Sequence, residues 1–214
     1  MFVRRTTSLL VLMTAVLLTS SAVVQAQLPS AEVIAASGSF DGKLYTNSQL
    51  GFTILAPGGW NFFTTDQNKA VVAKNRETAV KTADNILQSS AANTQVLFQA
   101  TPPSLAGQEK SALFSSGIER LVKPTTVDAY IEANKKLVLS SPNLTLAKDI
   151  YRLTFGGVKF AAFEVEGVRG GSKYRQRYLA TIRKNAALFF VVTLYDAKQD
   201  AIVDFSLQTI KFSK

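Results

Sequence analysis

The chain has 214 residues, of which 47% are hydrophobic and 18% charged, and its formal net charge is +9. This composition supplies enough apolar side chain for one domain with a substantial core and excludes wholesale disorder. Because the chain has no cysteine and no histidine, the composition also excludes thiol catalysis, zinc-finger and iron–sulfur ligation, and every catalytic triad or metal site that needs an imidazole.

The first 26 residues have the pattern of a secretory signal peptide. Arg4 and Arg5 form a short basic region, an apolar run covers 9–24, and Val24-Gln25-Ala26 ends it with the small-x-small pattern of a cleavage site. A membrane anchor is the alternative, but polar residues inside the run make it short for a span of about 20 residues. The sequence therefore predicts cleavage after Ala26, a periplasmic or secreted location, and no membrane span in the mature chain.

Cleavage at that point would remove two arginines and no acid, which leaves a net charge of +7. In an exported protein this charge favours an anionic partner, such as a lipid surface, an acidic glycan or a cell-wall polymer, over nucleic acid. Solubility without a specific partner explains the charge equally well.

Residues 27–43 are mostly small or polar and have no sustained period. They predict a flexible lead-in, followed by a single domain over 44–214. No internal repeat or linker divides that domain.

Alternating apolar residues between turn signals predict strands, and apolar residues three or four apart predict helices. The predicted strands are Leu50–Ala56, Ala70–Ala73, Gln95–Ala100, Ser111–Leu121, Asp149–Phe155, Val158–Glu166, Lys173–Arg183 and Ala186–Tyr195. The predicted helices are Arg76–Ala92, a second from Thr125 or Thr126 to Pro142, and a last one that Asp196 caps and that ends near Ile210. Ala197, Ala201 and Phe205 recur at i, i+4 and i+8 and form the predicted apolar stripe of the last helix.

Antiparallel strands in meander order, with helices that each have one apolar stripe, favour an α+β sandwich. Neither a G-x-G-x-x-G turn after a strand nor a P-loop occurs, so a doubly wound nucleotide-binding fold has no support.

The start of the predicted domain carries a moderately specific motif. It reads Tyr45-x-Asn47-x-x-Leu50-Gly51-Phe52-x-Ile54-x-x-Pro57-x-x-Trp60. With a mid-chain helix of the Thr126–Leu139 kind and a carboxyl-terminal strand–helix–strand, the chain resembles the PsbP-like superfamily. The resemblance implies an α/β/α sandwich around a mainly antiparallel sheet, and a role in binding or assembly. Histidines among the family's metal-binding positions have no counterpart here, so no functional residue is carried over and no cofactor or metal is predicted.

A hairpin with opposite charges is the clearest constellation in the sequence. If Gly170-Gly171 is a two-residue turn, Glu164 faces Arg177 and Glu166 faces Arg175, which predicts structural ion pairs between the two strands.

A second carboxylate is predicted beside that hairpin. A Gly156-Gly157 turn would place Asp149 next to Glu164 on one face of the sheet. Two carboxylates so close could serve as the acid and nucleophile of a glycoside hydrolase or hold a divalent cation. The neighbouring Arg177 favours ion pairing instead, because it keeps the carboxylates ionised and occupies their lone pairs.

Basic and aromatic residues alternate along the next strand. Lys173, Arg175 and Arg177 share one face, which predicts a contact for an anionic partner, while Tyr174 and Tyr178 lie on the other face. Another row of charge, Asp196, Asp200 and Asp204, is predicted to be a solvated face of the last helix.

These patterns predict a non-catalytic binding or assembly module at the cell envelope. Its partner would be an envelope protein, or an anionic polymer or lipid surface. Two alternatives stay open. One is a histidine-free hydrolase of an envelope polymer that uses Asp149 and Glu164, and the other is an accessory subunit of a membrane complex, which would expose an apolar patch.

Overall fold

The computed structural model describes residues 29–81, 93–103 and 111–213. The predicted signal peptide, residues 1–26, lies outside the described residues, as does the part of the predicted helix Arg76–Ala92 that follows Lys81. The helices are α1 (Ala31–Ala36), α2 (Thr65–Lys81), α3 (Val127–Leu139) and α4 (Ala197–Gln208). The strands are β1 (Gly38–Asp41), β2 (Leu44–Asn47), β3 (Phe52–Leu55), β4 (Asn61–Phe62), β5 (Thr94–Thr101), β6 (Leu113–Arg120), β7 (Leu144–Phe155), β8 (Val158–Arg169), β9 (Ser172–Arg183), β10 (Ala186–Leu194) and β11 (Lys211–Phe212).

In the described part of the chain, the strands form two antiparallel sheets. The large sheet has the order β4-β5-β6-β10-β9-β8-β7, and the small one has the order β1-β2-β3-β11. The meander from β7 to β10 is as predicted, with tight turns at Gly156-Gly157, Gly170-Gly171 and Lys184-Asn185, where every residue has a positive φ. Glycine adopts such angles without steric cost, and asparagine tolerates them better than most residues, so these turns could be found in the sequence.

Both faces of the large sheet are covered. On one face α3 packs against β7, β8 and β9. On the other face lie α1, α4 and the small sheet. Successive side chains of β8 point to opposite faces of the sheet. Ala161 and Phe163 lie in the core under α3, and Phe160 and Ala162 lie in the core under α1, α4 and the small sheet. This arrangement confirms an α+β sandwich around an antiparallel sheet, with the small sheet as an addition to one of its outer layers.

The opening motif is part of the core. Tyr45, Phe52 and Ile54 are each 1% exposed, and Trp60 is also buried. Asn47 is fully buried, and its amide donates to the Ile34 carbonyl at 2.8 Å while its Oδ1 accepts from the Leu50 N–H at 2.9 Å. The motif therefore fixes the turn between β2 and β3 and attaches α1 to it.

The prediction of a flexible lead-in over 27–43 differs from the structure. Ser30 caps α1 by accepting from the Val33 N–H, Ile34 is buried, and β1 pairs with β2. Six helical residues and a four-residue strand are too short to show a period in the sequence. Tertiary contacts, above all those of Asn47, hold them in place.

The predicted strand Ala70–Ala73 is wrong. These residues lie inside α2, which begins at Thr65, next to the reciprocal hydrogen bonds between Thr64 and Gln67. A four-residue apolar run cannot by itself distinguish a strand from one helical turn.

Candidate functional site

The charged hairpin has the predicted register. Glu164 lies opposite Arg177 and Glu166 opposite Arg175, across the Gly170-Gly171 turn. Register on a sheet with one buried face is strongly specified, because a slip of one residue would move every side chain to the other face.

The ion pairs within the hairpin are only partly those expected. The Glu164 carboxylate lies 3.5 Å from Arg177 Nε and 3.2 Å from the Arg175 guanidinium, and it accepts a 2.6 Å hydrogen bond from the Tyr151 hydroxyl. Glu166 is exposed, and it forms no ion pair with any residue in the described part of the chain. Arg175 turns away from Glu166 toward the buried carboxylate.

The remaining partners of the two arginines come from α4. Asp200 pairs with Arg175 and lies 2.8 Å from the Arg177 guanidinium, and Asp204 also pairs with Arg177. The prediction of a solvated acidic face is therefore wrong for Asp200, whereas the Asp204 side chain is 45% exposed although it pairs with Arg177, and Asp196 caps α4 by accepting from the Gln199 N–H. A buried guanidinium needs opposite charge nearby, and the helix that covers it supplies that charge.

We call this set of side chains the arginine network: Tyr151, Glu164, Arg175, Arg177, Asp200 and Asp204. Burial opposes the charge of Arg177, but the hydrogen bond to Asp204 and the nearby carboxylates hold its pKa above the ordinary value. Burial, followed by the hydrogen bond to Glu164, raises the pKa of Tyr151. The network thus pairs three carboxylates with two guanidiniums beside a phenol whose pKa is raised.

The three basic residues of β9 do not form one outward basic surface. Lys173 is exposed, Arg175 is partly exposed, and Arg177 is only 8% exposed beneath α4. The predicted contact with an anionic partner is therefore wrong for Arg177, and Arg175 is shared with the arginine network. Alternation along the strand identified the shared face correctly, but it could not show that a helix 20 residues later covers it.

The predicted pairing of Asp149 with Glu164 is also wrong. The register expected from the Gly156-Gly157 turn holds as far as Tyr151 opposite Ala162, but it shifts by one residue so that Lys148 lies opposite Glu164. Asp149 points to the other face of the sheet, where it accepts a 2.8 Å bond from Lys135 of α3. That hydrogen bond lowers the pKa of Asp149. Over the described residues, no group of three or more acidic side chains could hold a metal ion.

The outer face of α4 carries an apolar stripe beside the exposed Lys198 and Gln208. Val203 and Leu207 point into the core, whereas Ala197, Ala201 and Phe205 are exposed, so the predicted apolar stripe lies on the solvent side. Phe205 is 63% exposed.

The nearest strand adds a further apolar residue to this face. The Ser206 hydroxyl donates to the Leu55 carbonyl, and the Leu55 N–H donates to Thr209 Oγ1 at 2.8 Å. Phe205 lies one turn before Thr209 on the same side of the helix, and Leu55 is itself exposed. We call Leu55, Ala197, Ala201 and Phe205 the α4 surface. Among the described residues, no helix has both the length and the apolar character to cross a membrane.

Comparison with known proteins finds similarity only among solved structures. No protein-family model matches the chain, and no curated protein matches it. The cyanobacterial PsbP (CyanoP) of Synechocystis sp. PCC 6803 is 13% identical, with a TM-score of 0.47, and the match covers 82% of this chain and 98% of that one. A PsbP protein is thus among the similar structures.

Two other similar structures come from different bacteria. LpqN of Mycobacterium tuberculosis, which is involved in cell envelope biogenesis, is 8% identical with a TM-score of 0.46, over 57% of this chain and 79% of that one. PA94 of Pseudomonas aeruginosa, a protein of unknown function, is 16% identical with a TM-score of 0.43, over 52% of this chain and 78% of that one.

Proposed function

We propose that the protein is a non-catalytic binding or assembly module of the cell envelope, and that the α4 surface is its contact with a partner protein. The observation that carries this proposal is the orientation of α4, whose acids point inward to the arginine network while its apolar stripe points outward. An isolated exposed apolar residue is common on protein surfaces, but a continuous apolar strip on a helix and an adjoining strand is typical of an interaction site.

The arginine network supports a structural role for the residues that could otherwise perform chemistry. Glu164 is held by two arginines and a tyrosine, so its lone pairs are occupied. Asp149, the second carboxylate of the hydrolase alternative, lies on the other face of the sheet. The pair of carboxylates on which that alternative depends is therefore not formed. The envelope location rests on the predicted signal peptide.

The contact can be tested by a substitution on the α4 surface. Phe205→Ser should weaken capture of the native partner from an envelope extract by about tenfold or more, because burying a phenylalanine side chain contributes about 1.5–3 kcal/mol. The measurement is quantitative co-purification of purified full-length protein with the extract, at low and at physiological salt.

A matched control is Val122→Ser, since Val122 is 65% exposed and follows Leu121, which belongs to the core beneath α3 on the other side of the sheet. This variant should bind like the wild type. If Phe205→Ser and Val122→Ser both bind normally while Lys173→Glu abolishes capture, the contact is electrostatic and lies at the exposed end of β9. That result would contradict the proposed role of the α4 surface.

A further inference from the structure

Two tyrosines and an arginine come together at one end of the large sheet. The rings of Tyr174 and Tyr195 have their centroids 6.0 Å apart, and the Arg169 guanidinium lies 5.2 Å from the Tyr174 centroid. Burial raises the pKa of Tyr195, and the nearby Arg169 opposes that rise. The three residues come from the end of β8, the start of β9 and the residue after β10, so only the folded sheet brings them together. We call them the Arg169 cluster.

The strands position this cluster closely. Gly167 lies opposite Tyr174, and a Cβ atom at Gly167 would be 2.7 Å from the Tyr174 hydroxyl. Absence of a side chain at Gly167 therefore lets the tyrosine lie across the neighbouring strand. Any larger residue at this position would displace the ring.

A buried hydrogen-bonded layer supports the cluster from below. Gln176 follows Tyr174 by two residues on β9 and lies opposite Thr193 of β10. Its amide donates to Thr193 Oγ1 at 2.9 Å, and its Oε1 accepts from the Tyr178 hydroxyl at 2.9 Å. All three side chains are buried. A site supported by packed and hydrogen-bonded residues on strands holds its geometry better than one on loops.

Arg169, Tyr174 and Tyr195 are each partly exposed, so a ligand can reach them. Tyrosine presents a flat apolar face and a polar hydroxyl, which suits a ligand that has both apolar and polar faces. A guanidinium has five donors, and its fork matches a carboxylate bidentately. An acidic sugar unit combines these two requirements in one ring, because its C–H face can lie against a tyrosine while its carboxylate meets the arginine.

Nucleic acid is a weaker match to this cluster. Single-stranded nucleic acid is bound along a positively charged groove with stacking platforms for successive bases. Lys173 and Arg175, the basic neighbours on β9, point to the opposite face of the sheet from Tyr174. The cluster therefore offers one guanidinium beside its two rings, which fits a single carboxylate.

We propose that Arg169, Tyr174 and Tyr195 form a binding site for an acidic saccharide. The carboxylate of one sugar unit pairs with Arg169, and the sugar ring lies against the two tyrosines. This site goes beyond the proposed function, since it shares no residue with the α4 surface and needs no partner protein.

Calorimetric titration of the full-length protein tests the site. The probes are an oligogalacturonate, a neutral galactose oligomer of the same length, and a single-stranded oligothymidine. We expect the oligogalacturonate to bind at least ten times more tightly than either of the others. Arg169→Gln should reduce that affinity at least tenfold, and Tyr195→Leu, which keeps the charge, should also reduce it.

Arg183→Gln is the matched control, because Arg183 makes a comparable contact with an aromatic ring, 4.5 Å from the centroid of Phe212, at another place in the fold. This variant should keep the wild-type affinity. If Arg183→Gln and Arg169→Gln lose affinity equally, the attraction reflects net charge and the proposed site is wrong. The proposal is also overturned if the wild type does not bind the oligogalacturonate, or if it prefers the oligothymidine. Binding that survives Phe205→Ser separates this site from the α4 surface.

Discussion

Asn47 shows how much one buried polar side chain can organise. Its amide donates to the Ile34 carbonyl and contacts the Tyr45 hydroxyl at 3.3 Å, and its Oδ1 accepts from the Leu50 N–H and from the Ser37 hydroxyl at 3.1 Å. A segment without a hydrophobic period thereby becomes part of the fold.

Replacement of Asn47 should be costly. Asn47→Ala leaves the buried Leu50 N–H without its acceptor, and an unpaired buried donor or acceptor costs about 1–3 kcal/mol. We therefore expect the free energy of unfolding to fall by about 2–3 kcal/mol in urea denaturation followed by circular dichroism. Ser48→Ala, an exposed neighbour, should change it little. A stability change no larger than that of the control would show that α1 does not depend on this side chain.

Residue spacing predicts some of these contacts and not others. Glu164 and Arg177 were predictable as neighbours, because the strand pairing runs without a register shift from the Gly170-Gly171 turn to these two residues. The same reasoning from the Gly156-Gly157 turn placed Asp149 opposite Glu164 and was wrong, since the pairing of β7 with β8 shifts its register twice between Leu146 and Tyr151. A register shift depends on how the strand packs between α3 and β8, and no residue type in the sequence predicts it.

At the scale of elements, α4 is the least predictable helix. Its inner face carries Gln199, Val203, Ser206 and Leu207, only two of which are apolar, and the arginine network supplies the rest of its attachment. The apolar period in the sequence belongs to the outer face, so a rule that turns apolar residues inward gives the helix the wrong orientation. The acids that determine the actual orientation pair with arginines more than 20 residues away in the sequence. A local sequence pattern cannot predict a pairing over that separation.

The two arginines of the network should differ in their contribution to stability. Arg177→Gln leaves Asp204 without its counter-charge and removes one of the two guanidiniums beside the buried Glu164, and breaking a buried pair costs about 3–5 kcal/mol. The Arg175 side chain is 35% exposed, so Arg175→Gln should cost only about 0.2–1 kcal/mol. Urea midpoints of the two variants provide the comparison, with α4 helicity followed by circular dichroism. Equal losses would mean that the network is not centred on Arg177.

At the scale of the whole molecule, buried phenols couple stability to alkaline pH. Burial is the main cause that raises the pKa of Tyr45 to about 12 and the pKa values of Tyr130, Tyr151 and Tyr178 above their ordinary value of 10.0. A phenol with a raised pKa stabilises the folded state in its protonated form, so its contribution is complete below pH 10 and is lost as the pH rises past 12.

The expected result is a steep fall in the free energy of unfolding between about pH 10 and pH 12, measured by urea titration at each pH. Tyr45→Phe keeps the packing but removes one such phenol, so it should make the fall shallower. A pH dependence identical to that of the wild type would show that ionisation of Tyr45 is not linked to unfolding. Lysines titrate in the same range, and this comparison cancels their contribution.

The register shifts in β7 have a consequence for the protein in concentrated solution. β7 is the terminal strand of the large sheet, 12 residues long and largely exposed. A straight strand of that length would offer a template to which another copy could add, as in the growth of amyloid. The two shifts interrupt the even spacing of its outward N–H and C=O groups, and Lys148, Asp149 and Arg152 place charges along it. The register shifts that separate Asp149 from Glu164 thus also disfavour aggregation through the exposed edge of β7.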